Sequence, residues 1–447
     1  MRGTTTEPAA CEEVQNERRA LVIAAGASIA AALLPSVGMS AAQSRAFPAG
    51  FLWGAATAGH QIEGNDVNSD MWLLENLKPT TFAEPSGDAD NSFELWPEDL
   101  NLVREIGLNS YRFSLEWSRI EPEPGLFSIA MLDHYKAIIE GCRTRGITPV
   151  VTFNHYTTPR WFAARGAWTQ RDAPDLFARF CDRAARHCAA AIGYATTFNE
   201  PNSFNMFAGI FPPEFTAAQR AMNAAAARAC GSDKFANPMF PEEGEVAAVQ
   251  ATLIAAHKVG KAAIKAARTD LPVGVSLAMV DDQAQGPNSL RDAKRKAFYG
   301  DWLEAAKSDD FLGVQNYGRA IWSDKGRVGT DPGGYTNEFY PLSLANAARY
   351  AHEVSGRPVL ITEHGVNSDD DTARARLIPA ALIELQKIIA AGIPVKGYMH
   401  WSLIDNFEWI SGYKPKFGLC SVDRSTFKRT RKPSAAVYGA IARANAV

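Results

Sequence analysis

Eight short apolar runs, separated by longer stretches of helical period, dominate the hydrophobic pattern of the chain after Phe47. The runs are 51–58, 108–117, 148–156, 194–200, 273–281, 311–318, 359–363 and 395–403. They are rich in β-branched and aromatic residues and bounded by Gly, Pro or Asn, which predicts strands. Amphipathic stretches at 131–145, 174–192, 245–268, 341–355 and 372–391 lie between them and predict helices. Strand and helix alternating in this way build parallel sheet with crossover helices, and eight repeats predict a single (β/α)8 barrel of the TIM type. The predicted domain spans residues 43–447, with the active site expected at the C-terminal ends of the strands.

Residues 1–42 follow a different pattern. A polar, acidic stretch leads to Arg18-Arg19, an apolar run from Ala20 to Leu34, Pro35 and the small residues Ser40-Ala41-Ala42. The run is shorter than the ~20 residues of a membrane span. The flanks fit a cleavable export signal. Glu17-Arg18-Arg19-Ala20-Leu21-Val22 resembles a twin-arginine signal, which implies a periplasmic or secreted protein with a cut after Ala42. An uncleaved interfacial anchor or an extension without fixed structure is the alternative.

Composition narrows the function by exclusion. A hydrophobic content of 46%, a charged content of 21% and a net charge of −3 offer no broad positive field for nucleic acid. The basic run Lys428–Lys432 therefore reads as a solvated loop. The six cysteines form no C-x-x-C pair, and no His pair has metal-binding spacing, so neither a metal nor a cofactor is expected. Cys181 and Cys188 fall two helical turns apart, too far for a disulfide. No glycine-rich nucleotide fingerprint occurs.

Two strand ends carry the candidate chemistry. Thr197-Phe198-Asn199-Glu200-Pro201 and Ile361-Thr362-Glu363-His364-Gly365 each finish an apolar run on a glutamate followed within two residues by Pro or Gly. A pair of carboxylates on one scaffold suits glycosidic bond cleavage, in which one protonates the leaving oxygen and the other acts ionised. Other predicted strand ends add Gln61, Glu63, Arg112, Trp117, His155, Tyr156, Asn316, Tyr317 and Trp401. Aromatic faces, amides and acids suit a sugar, whose apolar ring face stacks while its hydroxyls need donors and acceptors.

At these residues the chain resembles glycoside hydrolase family 1, the retaining β-glycosidases. Five ordered motifs carry the resemblance: FPAGFLWGAATAGHQIEG (47–64), YRFSLEWSRIEPEPG (111–125), the Thr-Phe-Asn-Glu-Pro block, the Ile-Thr-Glu block and WSLIDNFEWISGYKPKFGL (401–419). The resemblance implies Glu200 as acid/base and Glu363 as nucleophile. It implies Asn199 on the sugar 2-hydroxyl, and Gln61, His155, Asn316, Glu408 and Trp409 among the substrate-binding residues. Trp401 would form the sugar's floor, with Arg112 beside the nucleophile and Tyr317 and Phe417 in support. The implied partner is a small glycoside or oligosaccharide cleaved from its nonreducing end.

Four positions depart from the family pattern. Asn316-Tyr317-Gly318 stands where Asn-Tyr-Tyr is usual, so the tyrosine hydrogen bond to the nucleophile is either absent or comes from elsewhere, with Tyr317, Tyr335 and Tyr340 as candidates. His364 replaces Asn, Tyr156 replaces Trp, and His60 replaces Tyr. A binding protein that has lost turnover remains an alternative reading because of Gly318. A 6-phospho-β-glycosidase is another, with Lys414 and Lys416 in its favour and Glu408 against it.

Overall fold

The computed structural model describes residues 46–207, 211–237, 239–329 and 338–447. The expected export signal and Tyr335 lie outside the described residues. Eight parallel strands close into a barrel: β1 Leu52–Ala56, β2 Ser110–Ser114, β3 Thr148–Asn154, β4 Tyr194–Asn199, β5 Val273–Ala278, β6 Phe311–Asn316, β7 Val359–His364 and β8 Val395–Trp401. They pair in sequence order, and β8 pairs with β1. All eight expected strands therefore exist, and they are buried on both faces because helices cover the outside.

The crossover helices follow the expected periodicity. Ile129–Thr144, Ala173–Cys188, Val246–Ala267, Leu342–Ser355 and Asp371–Ala390 match the amphipathic stretches within a few residues. Local chemistry sets their ends. The Ser128 hydroxyl accepts from the Met131 N–H and the Asp370 carboxylate from the Thr372 N–H, each satisfying a helix-start donor. Gly356, at φ +69, supplies the left-handed residue that ends Leu342–Ser355. Ser92–Ile106, Pro213–Cys230 and Pro433–Ala444 are further helices that the periodicity reading did not single out.

Inside the barrel, Leu52, Val150, Phe311, Leu360 and Met399 form one buried cluster. The alternating residues Trp53, Tyr111, Val151, Leu312 and Ile361 belong to the larger core under the helices. Strict alternation fails at two strand ends. Along β4, Thr196 donates to Thr152 within the barrel, but Thr197 pairs with His257 on an outer helix and Phe198 stacks on Phe177 outside. A register shift between Thr196 and Asn199 absorbs the two successive outward residues and turns Asn199 back inward. A matching shift between Ile361 and Glu363, against β6, brings Glu363 to the interior.

Two readings change at this level. Trp117 is not at the barrel mouth: it lies among Trp161, Phe162, Trp168, Phe177 and Phe180, with its indole N–H donated to Glu121. Nor is the 428–432 run a solvated loop throughout. Arg429 forms a buried pair with Asp99 and Lys432 pairs with Asp405, and the strand Arg429–Arg431 joins a hairpin with Cys420–Val422. Five cysteines are free thiols among the described residues.

Close backbone approach between the ends of β7 and β8 sets the distance from Glu363 to Trp401. A Cβ on Gly365 would overlap the Trp401 carbonyl oxygen. Gly365→Ala is expected to lower stability by about 1–3 kcal/mol through overpacking and to reduce activity at the same time. Urea unfolding and steady-state kinetics check this; unchanged stability and turnover would mean the two strand ends are free to move apart.

Candidate active site

Glu363 is 4% exposed and receives three donors. Arg112 Nη1, from β2, donates to its Oε1 at 2.6 Å, and Gln315 Nε2, from β6, donates to the same oxygen at 3.0 Å. The Tyr317 hydroxyl donates to Oε2 at 2.7 Å. Of the three candidate tyrosines, Tyr317 therefore fills the place that Gly318 leaves empty. Tyr340 is elsewhere, accepting from Gln283 with its ring under the Arg319 guanidinium. Gly318 has φ +150, a conformation suited to glycine, and its carbonyl accepts from Asn316 Nδ2 and the Asp281 N–H.

Asn199 shares the donors that hold Glu363. Its Oδ1 accepts from Arg112 Nη2 at 2.6 Å and from Gln315 Nε2 at 2.7 Å. With the oxygen occupied twice, the amide NH2 is what Asn199 has to offer the pocket. One guanidinium thus fixes both the carboxylate of β7 and the amide of β4.

Glu200 follows Asn199 at φ +43, its N–H donated to the Ser276 carbonyl of β5. The Tyr156 hydroxyl donates to its Oε2 at 2.6 Å. No cation hydrogen-bonds to it among the described residues. Burial, and next the charge of Glu363, push Glu200 up to about 8, against the opposing Tyr156 bond and the more distant Arg112. Burial also raises Glu363, but there the Arg112 cation and the Tyr317 and Arg112 hydrogen bonds act directly against it. The two acids therefore sit in unequal settings: a cation and a phenol oppose burial by direct contact at Glu363, and a phenol alone does so at Glu200.

The pocket between them is also lined by Gln61, His155, Asn199, Trp401, Glu408, Trp409 and Phe417. Gln61 donates to the Phe407 carbonyl and to Asn406, and its Oε1 has no partner among the described residues. His155 Nδ1 is in the same condition; burial and then Arg112 hold the ring well below the usual pKa, so it is neutral. Trp401 donates its indole N–H to Glu408 Oε1 at 3.0 Å, and its ring stacks with His155. Burial pushes Glu408 up to about 8 despite that bond. The wall thus combines indole faces with unused hydrogen-bonding atoms, the pairing a sugar requires.

Several expected residues play other parts. Asn316 does not line this pocket: its amide donates to the Met279 and Gly318 carbonyls and accepts from Ser343, so it ties loop backbone together. The polar inward residue of β6 is Gln315, which the sequence reading missed although an amide inside the run Phe311–Asn316 was a visible anomaly. Met239, another pocket residue, carried no such signal. Glu63 pairs with Arg119 and Tyr135 rather than facing the mouth. His364 lies on the outer side of β7, neutral, beside the Tyr398 hydroxyl at 2.9 Å.

His60 lies behind the pocket, its ring parallel to Trp409 at 5.8 Å. Burial opposes its charge, but Glu75 and Asp66 outweigh burial and raise it to about 10. Among the described residues, no group of three or more His, Cys, Asp or Glu side chains is arranged to hold a metal ion.

The model of the family described as glycosyl hydrolase family 1 matches residues 43–269 and 327–447. Among solved structures, a beta-glycosidase, BGL167, is 45% identical with a TM-score of 0.83, over 90% of this chain and 98% of that one. The apo structure of a beta-glucosidase, 1317, is 40% identical with a TM-score of 0.84, over 88% and 98%. The 1,4-beta-D-glucan glucohydrolase of Thermotoga neapolitana is 28% identical over 89% of this chain and 98% of its own length.

Burial, Glu363 and Glu408 raise Glu200, in that order, and the share of Glu363 is separable. Replacing Glu363 by Gln removes the neighbouring negative charge but leaves burial, so the Glu200 pKa is expected to fall from about 8 while staying above the ordinary carboxylate value. Carboxyl-carbon NMR titration of the variant measures it. An unchanged or higher value would show that the two acids do not sense each other.

Proposed function

The chain belongs to glycosyl hydrolase family 1, and from that premise we propose a β-glucosidase in which Glu363 is the nucleophile and Glu200 the acid/base. It is a glycoside hydrolase acting as a retaining β-glycosidase. The observation that carries the residue roles is the unequal setting of the two acids: a cation and a phenol hydrogen-bonded to Glu363, a phenol alone to Glu200.

In the first step the Glu363 carboxylate attacks the anomeric carbon, the glycosidic C–O bond breaks, and the Glu200 proton goes to the departing oxygen. Glu200 is then a carboxylate. In the second step it takes a proton from water as the water oxygen attacks the anomeric carbon. Glu363 is released, and two inversions leave the configuration retained. Asn199, Gln61, His155 and Glu408 would bind the sugar's hydroxyls, while Trp401 and Trp409 offer apolar faces.

Glucose as the preferred sugar is supported by the names of the beta-glucosidase and glucan glucohydrolase relatives. The pocket lining brings carboxyl groups and no Lys or Arg side chain among the described residues, which disfavours a sugar phosphate. A binding protein without turnover is disfavoured by the intact pair and by Tyr317 standing in for the missing tyrosine. Beyond Met239 lies a cavity of about 440 Å³ whose walls include Phe204, Phe211, Phe215 and Phe240, which supports an apolar or aryl leaving group. Export through a twin-arginine-like signal is part of the proposal and rests on the Arg18-Arg19 segment alone.

Glu363→Gly is expected to lose hydrolysis of aryl β-glucosides by about 10⁴-fold or more. Added azide should then occupy the vacated face and yield the α-glycosyl azide, identified by NMR. A β-glycosyl azide would reverse the two roles. Arg18→Lys with Arg19→Lys should hold active enzyme in the cytoplasmic fraction of a host with the twin-arginine pathway; unchanged export would remove that part of the proposal.

A further inference from the structure

Tyr156 stands where the resemblance leads one to expect a tryptophan, and it brings to the site a hydroxyl that an indole lacks. The residue lies just past β3 at φ +67, in the left-handed region that a bulky side chain rarely adopts. Aromatic edges hold the ring: Trp409 at 5.5 Å and 89°, and His155 at 5.6 Å and 75°. Its hydroxyl reaches Glu200 Oε2 at 2.6 Å and Ser203 Oγ at 3.2 Å.

A phenol has one proton to donate, and the shorter contact assigns it to Glu200. A protonated carboxyl has one hydroxyl oxygen and one acceptor oxygen. We propose that Tyr156 is the positioning residue of the acid/base, holding Glu200 Oε2 as the acceptor so that Oε1 carries the proton given to the leaving group. The inference rests on the reading of Glu200 as acid/base.

The same bond serves both half-reactions. After proton transfer Glu200 is a carboxylate, and the phenol becomes a charge-assisted donor to it, which strengthens the contact. Burial and the Glu200 charge keep the Tyr156 hydroxyl protonated well beyond its usual range, so it remains a donor throughout. The charged groups acting on Glu200 are Glu363 and Glu408, which raise its pKa, and Arg112, which lowers it; His155 is neutral. Tyr156 is the one hydrogen bond among these influences, and it also lowers the pKa.

Tyr156→Phe keeps the ring and removes the donor. Two β-glucosides separate its role from a structural one: an alkyl glucoside, whose leaving group needs the proton, and a 2,4-dinitrophenyl glucoside, whose leaving group does not. For the alkyl substrate kcat/KM is expected to fall roughly tenfold, a fraction of a general acid's whole contribution. The alkaline limb of its pH profile should move up by about one unit, because the bond that favoured the carboxylate is gone. The dinitrophenyl substrate should stay within about threefold, since acid catalysis is not in its path. An equal fall on both substrates, or an alkaline limb that stays or moves down, would overturn the proposal. Glu200→Gln is run in parallel. If that variant shows no preference for the activated leaving group, the acid/base reading itself fails, whatever Tyr156→Phe does.

Discussion

A buried guanidinium organises the site. Arg112 is fully enclosed in the barrel, and its two terminal nitrogens hold the carboxylate of β7 and the amide of β4 at the same distance of 2.6 Å. Removing either charge of such a pair leaves the other unpaired in a poor solvent, a cost of about 3–5 kcal/mol. The pair therefore fixes geometry more than it adds stability. Arg112 and Gln315 together place Glu363 and Asn199 against each other, so the nucleophile and the amide facing the sugar move as one unit.

From that unit the difference between the two acids follows. Both are carboxyl groups taken from water, and burial raises both. Arg112 and Tyr317 counter the effect at Glu363 by direct contact, whereas Glu200 meets a phenol and the field of a charged neighbour. Acid and base are assigned by environment rather than by residue type. Backbone strain accompanies the arrangement: Tyr156, Glu200 and Trp409 all have positive φ, at 67, 43 and 49 degrees. Such conformations persist in non-glycine residues only where surrounding contacts overdetermine them: ring contacts do so for Trp409 and Tyr156, and the bonds to the Ser276 carbonyl and the Tyr156 hydroxyl for Glu200.

The departures from the family pattern are compensated locally. Tyr317, one position earlier in the chain, reaches Glu363 while Gly318 turns the backbone away. His60 brings a cation in place of a phenol, balanced by Glu75 and Asp66 behind Trp409. The His60 exchange alters a group behind the pocket wall, whereas Tyr317 and Tyr156 are part of the wall and bond the two acids directly.

The eight strands, five of the crossover helices and the pair Glu200 and Glu363 were legible in the sequence, because burial on both faces imposes apolar runs and amphipathic helices impose a period. Motif residues placed the acids at strand ends without any knowledge of distance. Which way those ends point was decided only by the tertiary structure. Register shifts at Asn199 and at Glu363 depend on neighbouring strands, and simple alternation along either run misses them. Gln315 entered the site and Asn316 left it because neighbouring residues of β6 face opposite sides, while Glu63 and Trp117 left it because the chain has already turned into short helical segments beyond β1 and β2. Sequence pattern is local and fixes which elements form. The hydrogen bonds of Arg112, Tyr156 and Tyr317 span residues far apart in the chain, and only closure of the barrel brings them to the two acids.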